Sequence, residues 1–261
     1  MKKAAFYTLG CKVNQYETEA MAELFADSGY EIKEFTEVAD VYVINTCSVT
    51  NMGDRKSRQI IRRAKKLNPN AVIAVTGCYA QTAPDEVLAI EGVNLVLGTK
   101  DRKNIVTLVE ELNTESNINH VSDIMSNHEF EELQIKQYSN RTRAFIKIQE
   151  GCNQFCSYCI IPYARGPVRS RAKDDVVREI KELAHNGFKE IILVGIHVAS
   201  YGVDLGNTTL ESLIMDVDKI DGVERIRLSS IEPMTLNQEF IDSIKDSKKL
   251  CHHFHISLQS G

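Results

Sequence analysis

The stretch DVYVINT (residues 40–46) is short, apolar and rich in β-branched residues, and a cysteine, Cys47, follows it directly. A run of this kind reads as a strand buried on both faces, as in a parallel sheet. Two further stretches have the same form: KAAFYTLG (3–10), followed by Cys11, and AVIAVTG (71–77), followed by Cys78. Each is succeeded by a helical pattern: YETEAMAELFADSGY after the first, MGDRKSRQIIRRAKKLNP after the second and APDEVLAIEG after the third. Strand and helix alternate every 30–35 residues or so (roughly), which is the period of βαβ units. NLVLGTK (94–100) continues as a fourth strand, with helix KNIVTLVEELN behind it. The expectation is a parallel-sheet α/β domain, built of βα repeats, over residues 1–112.

Residues 113–140, NTESNINHVSDIMSNHEFEELQIKQYSN, lose this periodicity and are polar and Asn/Ser-rich, so they read as a linker. The alternation then restarts over 141–261: strand RAFIKIQEG, helix AKDDVVREIKELAHNG, strand EIILVGI, helix TTLESLIMDVDKIDG, strand RIRLSSI, helix LNQEFIDSIKDSKKL and strand HFHISLQ. Four strands and three helices make an incomplete (β/α) barrel. The last strand has no helix after it, which leaves an open edge and an uncovered face, so this domain reads as truncated.

A chain of 261 residues with 43% hydrophobic and 26% charged residues has material for two ordinary cores. Its net charge of −5 argues against a polyanion binder as a whole, so nucleic-acid contact would have to come from local patches. The start, MKKAAFYTLGCKVNQ, lacks the apolar core of a signal peptide, and no run has the length of a membrane span. The expectation is a cytoplasmic protein without membrane contact, in which the seven cysteines are ligands or catalysts and not disulfides.

GCNQFCSYCIIP (151–162) sets three cysteines in eight residues, on a loop at the C-terminal end of a strand. Active sites of α/β barrels gather at that end. Cys152, Cys156 and Cys159 can hold three irons of a 4Fe–4S cluster and leave the fourth iron open to a ligand. The alternative is half of a zinc site, which needs a fourth Cys or His; none follows at zinc-ribbon spacing. A second, dispersed trio is formed by Cys11, Cys47 and Cys78, each just beyond one of three parallel strands. Strand C-termini in a parallel sheet point one way, so the three loops share a crevice. Three ordinary buried cysteines are the alternative there.

The spacing CxxxCxxC, with Tyr158 before the last cysteine, resembles the signature of radical S-adenosylmethionine enzymes. TLGCKVNQYETE, NTCSVTN, TGCYAQ and QEGCNQFCSYCIIPYARGPVRSR together resemble the methylthiotransferase family of that superfamily, in particular the branch acting on threonylcarbamoyladenosine in tRNA. The resemblance implies two 4Fe–4S clusters, an auxiliary one on Cys11, Cys47 and Cys78 and a catalytic one on Cys152, Cys156 and Cys159. S-adenosylmethionine would chelate the open iron of the second, and Tyr158 would contact its adenine. By the same resemblance, reductive cleavage gives methionine and a 5′-deoxyadenosyl radical that activates the adenine ring next to the anticodon. The auxiliary cluster would supply sulfur for the methylthio group. The implied partners are the tRNA anticodon stem-loop, a reduced flavodoxin- or ferredoxin-type electron donor and a sulfur donor. The family's C-terminal RNA-binding barrel (TRAM) has no counterpart in these residues. Alternatives within the same chemistry are isopentenyladenosine in tRNA or a ribosomal-protein aspartate as substrate; outside it stands a non-catalytic iron–sulfur protein.

Further residues are singled out by position. Gly195 ends the second strand of the radical domain, where the superfamily places a segment holding the methionine amino group. Ser230 and Glu232, after the third strand, and Gln259, on the fourth, sit where the cosubstrate would lie. The helix carrying Arg55, Lys56, Arg58, Arg62, Arg63, Lys65 and Lys66 is a candidate phosphate contact, with Arg55, Arg58 and Arg62 on one face. Arg165, Arg169 and Arg171 after the cysteine loop are candidates for the same role. His253 and His255 are expected on one strand face, where the HHFH run could suggest a metal but reads as packing or lumen residues, and Cys251 is expected to be structural.

Overall fold

The computed structural model describes residues 1–48, 51–112, 115–135 and 142–259, apart from the side chains of residues 51 and 52. Parts of the NTCSVTN motif (49–50), of the expected linker (113–114 and 136–140), the expected domain start at 141 and the last two residues lie outside that description. The chain forms two compact units. The first comprises Met1–Asn127, Glu131–Leu133 and Asn153–Pro167, and the second His128–Phe130, Gln134–Cys152 and Val168–Gly261.

In the first unit the chain runs β1 (Lys3–Thr8), α1 (Lys12–Asp27), β2 (Glu31–Lys33), β3 (Val41–Thr46), α2 (Asn51–Leu67), β4 (Val72–Gly77), α3 (Cys78–Thr82), α4 (Pro84–Leu88), β5 (Leu95–Leu97), α5 (Ile105–Glu110) and β6 (Ile118–His120). The sheet order is β2-β1-β3-β4-β5-β6, and every pair is parallel. Alternate residues of the central strands feed two apolar layers. Tyr42, Ile44, Ile73 and Val75 pack on one face, and Val41, Val43 and Ala74 on the other. Burial on both faces is the reason these strands read as unbroken apolar runs.

Three features differ from the expected pattern. The supposed linker supplies β6, which pairs in register with β5 although all three of its residues are exposed. An edge strand is held by its backbone ladder and needs no apolar sequence, so composition conceals it. β2 is concealed in the same way. The helix expected over APDEVLAIEG is two short helices, because Pro84 disfavours helical geometry at Ala83, whose φ is −142°.

The second unit contains β7 (Arg143–Glu150), β8 (Arg169–Ser170), α7 (Lys173–His185), β9 (Glu190–Gly195), α8 (Leu210–Asp218), β10 (Arg225–Leu228) and α9 (Gln238–Ile244), while α6 (Ile161–Arg165), between β7 and β8 in the chain, belongs to the first unit. Its sheet, ordered β10-β9-β7-β8, is parallel except for β8, which turns back antiparallel on β7. This is a curled partial barrel, as expected, but its fourth parallel strand is not a ladder. HFHISLQ touches the sheet through the bridge Ile231↔Ile256, and Leu250 bridges Ile226 just before it. His253 and His255 are both exposed and share no strand face. The sequence there alternates in hydropathy, yet its pairing with the sheet is limited to these isolated bridges among the described residues.

Gly77 closes β4 directly ahead of Cys78 with φ +96°, and a Cβ there would lie 2.4 Å from both the Thr46 carbonyl oxygen and Asn45 Oδ1. Gly77→Ala therefore meets backbone that cannot swing aside, in addition to left-handed strain. A loss of about 2 kcal/mol or more is expected in a urea titration. Stability equal to the parent's would show that the turn relaxes.

Candidate metal centre

The strand register sets the centre. Thr8 pairs with Asn45, and Thr46 with Gly77, so β1, β3 and β4 end side by side. The strand order reverses between β1 and β3, the switch point at which doubly wound sheets open a crevice for a ligand. Cys11 caps the start of α1, Cys47 follows β3, and Cys78 opens α3. All three belong to the first unit.

Contacts in the crevice bring these cysteines together. A Cβ on Gly10, which has φ +106°, would lie 2.9 Å from Cys47 Cβ and 3.1 Å from its Sγ, so the Cys47 side chain is seated against the residue preceding Cys11. Cys11 Sγ donates to Asn14 Oδ1 at 3.5 Å. Asn14 Nδ2 donates to the carbonyls of Leu9 (2.8 Å) and Thr46 (2.9 Å), tying together the turns that carry Cys11 and Cys47. Thr46 Oγ1 donates to Thr76 O at 2.6 Å, and Thr76 Oγ1 to Gly98 O at 2.7 Å, so hydroxyls extend the ladder past the strand ends. Burial pushes the Cys78 thiol above its ordinary range, opposed by the Arg165 guanidinium, whose Nε donates to Cys78 Sγ at 3.3 Å.

Exposure is graded across the trio: Cys11 is exposed, Cys47 intermediate and Cys78 buried. Among the described residues no three His, Cys, Asp or Glu side chains are gathered closely enough for a single metal ion. That spacing is compatible with a four-iron cluster, which takes each thiolate at a separate corner and so spreads its ligands. Three thiol donors around a glycine cradle, with a buried cation beside one sulfur, fit such an anionic group.

The other cysteine loop leaves β7. Cys152 groups with the second unit, whereas Cys156 and Cys159 group with the first. Gln149 Nε2 donates to the carbonyls of Glu150 and Gly151 at 2.8 and 2.7 Å and so fixes the loop's start. Cys159 N donates to Cys156 O at 2.9 Å, a turn that brings these two cysteines onto one bend. Phe155 holds a left-handed φ of 46°, uncommon for a bulky residue, and Tyr158 is 73% exposed.

The remaining candidates fall into the second unit. Gly195 ends β9, where a Cβ would press on Gln149 Oε1 at 2.9 Å. That oxygen accepts from His197 N at 2.7 Å. His197 was passed over in the sequence, yet its Nε2 lies 3.1 Å from Glu232 Oε2 and its Nδ1 2.5 Å from Ser200 Oγ. Ser230 is exposed and its hydroxyl lies 2.9 Å from His255 Nδ1. Gln259 has φ 68°. Cys251 lines a mostly apolar cavity of about 240 Å³ with Ile241, Leu250 and Phe254.

Two expectations for phosphate contact divide. On α2, Arg55, Lys56, Arg62, Arg63 and Lys66 are exposed, while Arg58 donates to Tyr79 OH at 2.8 Å. Arg165, Arg169 and Arg171, by contrast, are fully buried on carboxylates: Glu17, Glu150 and Glu179 respectively. They are not available to a phosphate, because a buried guanidinium stripped of its carboxylate would leave two unpaired charges.

A parallel α/β unit followed by a curled sheet whose first strand opens onto CxxxCxxC is the arrangement that the resemblance to radical S-adenosylmethionine enzymes implies. Residues 3–98 match the family described as "Uncharacterized protein family UPF0004", and residues 146–261 match the Radical SAM superfamily. The fold is also that of the radical S-adenosylmethionine methyltransferase TsrM from Kitasatospora setae, solved with cobalamin and a [4Fe-4S] cluster. The TM-score is 0.62 at 17% identity, over 96% of this chain and 60% of that one. The chain is 51% identical over 263 residues to "Threonylcarbamoyladenosine tRNA methylthiotransferase MtaB" of Bacillus subtilis, covering 100% of this chain and 58% of the relative. It is 34% identical to "tRNA-2-methylthio-N(6)-dimethylallyladenosine synthase" of Dictyoglomus thermophilum, covering 100% and 60%. In sequence the chain is similar to radical S-adenosylmethionine methylthiotransferases, and it spans about three fifths of the length of these curated relatives. Among the described residues no helix is long and apolar enough to cross a membrane.

Iodoacetamide applied to the metal-free chain near pH 8 should label exposed Cys11 and Cys156 first and Cys78 last, since the thiolate is the reacting form and must be reachable. Mass spectrometry of timed samples gives the order. Labelling of Cys78 at the rate of Cys11 would contradict the buried setting described for it.

Proposed function

We propose that this chain carries the two metal centres of a tRNA methylthiotransferase: an auxiliary 4Fe–4S cluster on Cys11, Cys47 and Cys78, and a second on Cys152, Cys156 and Cys159 that binds S-adenosylmethionine. The observation that carries the reading is the convergence of three strand-end cysteines at the β1/β3 switch point, in a chain that also has the CxxxCxxC loop. When bound, these groups supply one-electron cleavage of S-adenosylmethionine and the sulfur atom. The protein's own part is positional. Asn14 and the threonine ladder hold the auxiliary thiols in one crevice, and Gln149 fixes the backbone from which the second set departs. Tyr158, Gly195, Ser230, Glu232 and Gln259 are assigned to the cosubstrate, the tyrosine by its place before the last cysteine and the others by their strand-end positions. A positioned and dry site is required because a reactive carbon species would otherwise be quenched by its surroundings.

The substrate is proposed to be threonylcarbamoyladenosine beside the anticodon, in a cytoplasmic tRNA. The 51% identity to the B. subtilis relative favours it over the dimethylallyladenosine named for the 34% relative. The exposed basic face of α2 supplies charge for an anticodon stem-loop. A flavodoxin- or ferredoxin-type reductant and a sulfur donor complete the proposed partners.

Anaerobic reconstitution should load about eight irons, from two four-iron clusters. Cys156→Ala should halve the iron and abolish 5′-deoxyadenosine formation, and stoichiometric zinc with little iron would refute the reading. Cys47→Ala tests the division of labour. Cleavage of S-adenosylmethionine should persist while 2-methylthio nucleoside disappears from digested tRNA; loss of cleavage in a folded variant that keeps the other cluster would contradict it.

A further inference from the structure

Arg165 stands six residues beyond Cys159 on the same segment, yet its guanidinium is spent on the other cysteine trio. The side chain has no solvent exposure. Nε donates to Cys78 Sγ at 3.3 Å, Nη1 to Glu17 Oε1 at 2.5 Å, and Nη2 to Asn14 Oδ1 at 2.6 Å and Glu17 Oε2 at 3.2 Å. Asn14 in turn grips the carbonyls of Leu9 and Thr46, just ahead of the turns of Cys11 and Cys47. One cation thus touches Cys78 directly and reaches the turns of the other two cysteines through a single amide. All these groups lie in the first unit.

A simple anchor for the segment would need only the Glu17 pair. The Nε–H aimed at sulfur is additional, and it is a charge-assisted bond in a water-poor setting, where such bonds are strongest. Hydrogen bonds to ligand sulfurs, net charge and burial are the levers by which a protein sets the potential of an iron–sulfur cluster. Lysine would keep the charge but not the planar fork that serves three acceptors in three directions.

We propose that Arg165 is a positioning residue of the Cys11–Cys47–Cys78 centre: it holds the three turns together and, by drawing negative charge from the Cys78 sulfur, raises the reduction potential of the cluster there. This rests on the two-cluster reading above. It also ties the peptide bearing Cys156 and Cys159 to the auxiliary centre by a residue of that same peptide, so that ordering one orders the other.

The test uses a parent chain with Cys152→Ala, Cys156→Ala and Cys159→Ala, reconstituted anaerobically, so that only the auxiliary centre can hold iron. Its midpoint potential is read by spectroscopic titration, and its iron loss by chelator challenge. Added Arg165→Gln should lower the potential and speed iron loss. Arg165→Lys should fall between the two, and Glu17→Gln, which leaves the cation uncompensated, should raise the potential. A purely structural role would weaken folding without producing these opposite signs. Iron bound in the parent with an unmoved potential in Arg165→Gln overturns the inference alone. Should Arg165→Gln fail to fold, unmoved potentials in both Arg165→Lys and Glu17→Gln overturn it. No iron in the folded parent overturns the auxiliary-cluster reading, and the inference falls with it.

Discussion

A guanidinium taken wholly out of water is the constraint around which the first unit is arranged. Burying an unpaired ion costs several kcal/mol even after relaxation, and breaking a buried pair typically costs about 3–5 kcal/mol. Arg165 is therefore stable only where Glu17 is also buried, and Glu17 accepts a second cation, Arg102, whose Nη1 lies 2.5 Å away. Arg102 Nε in turn reaches Glu131 at 2.8 Å. Two cations and two carboxylates thus meet in one network. Each comes from a different part of the chain: α1, the turn before α5, the segment after β6, and the end of α6. A stability argument alone does not account for such a network, because apolar residues of the same volume would often serve as well. What apolar residues would not supply is a donor beside a thiol.

The sheet topology decides where that donor matters. Parallel pairing brings every strand's C-terminus to one edge, and the reversal of order between β1 and β3 leaves the first helix and the second on opposite sides of a crevice. Cysteines one to three residues beyond β1, β3 and β4 then share a neighbourhood despite their distance in sequence. Gly10 and Gly77, both at positive φ, let the chain turn sharply enough to keep each cysteine near its strand. A side chain at either position would collide with the neighbouring turn, so the glycines and the cysteines work as pairs.

Much of this was legible in sequence, for identifiable reasons. β3, β4 and β9 are buried on both faces and so appear as apolar runs, and the cysteines beyond β3 and β4 follow from them by topology alone. The edge strands β2 and β6 were not legible, since their pairing is made by backbone groups that leave no trace in side-chain type. The buried arginines were misread for a related reason. In one dimension Arg165, Arg169 and Arg171 look like a basic patch beside a loop; only the fold shows that each meets a carboxylate, Glu17 from 148 residues away and Glu179 from eight. Charge counted along a chain says nothing of burial, and burial decides whether a cation is a surface field or an internal counter-ion. His197 carries no signal in sequence because its carboxylate neighbour, Glu232, comes from beyond a different strand, β10.

The loop bearing Cys156 and Cys159 poses the complementary problem. Phe155 and Tyr158 on it, and Tyr163 in the helix that follows, are 49%, 73% and 58% exposed, although burying an aromatic or large aliphatic side chain is worth about 1.5–3 kcal/mol. Phe155 and Tyr163 recover part of this in an edge-to-face contact at 6.1 Å, and Tyr158 recovers little by burial. The loop is held at its ends: at the start by the Gln149 amide on the Gly151 carbonyl, and at the finish by Arg165 and by Thr99 Oγ1, which donates to Ala164 O at 2.7 Å. Fixed ends with exposed aromatic side chains between them are what the proposed role of this loop requires, because positional precision is then built in before binding.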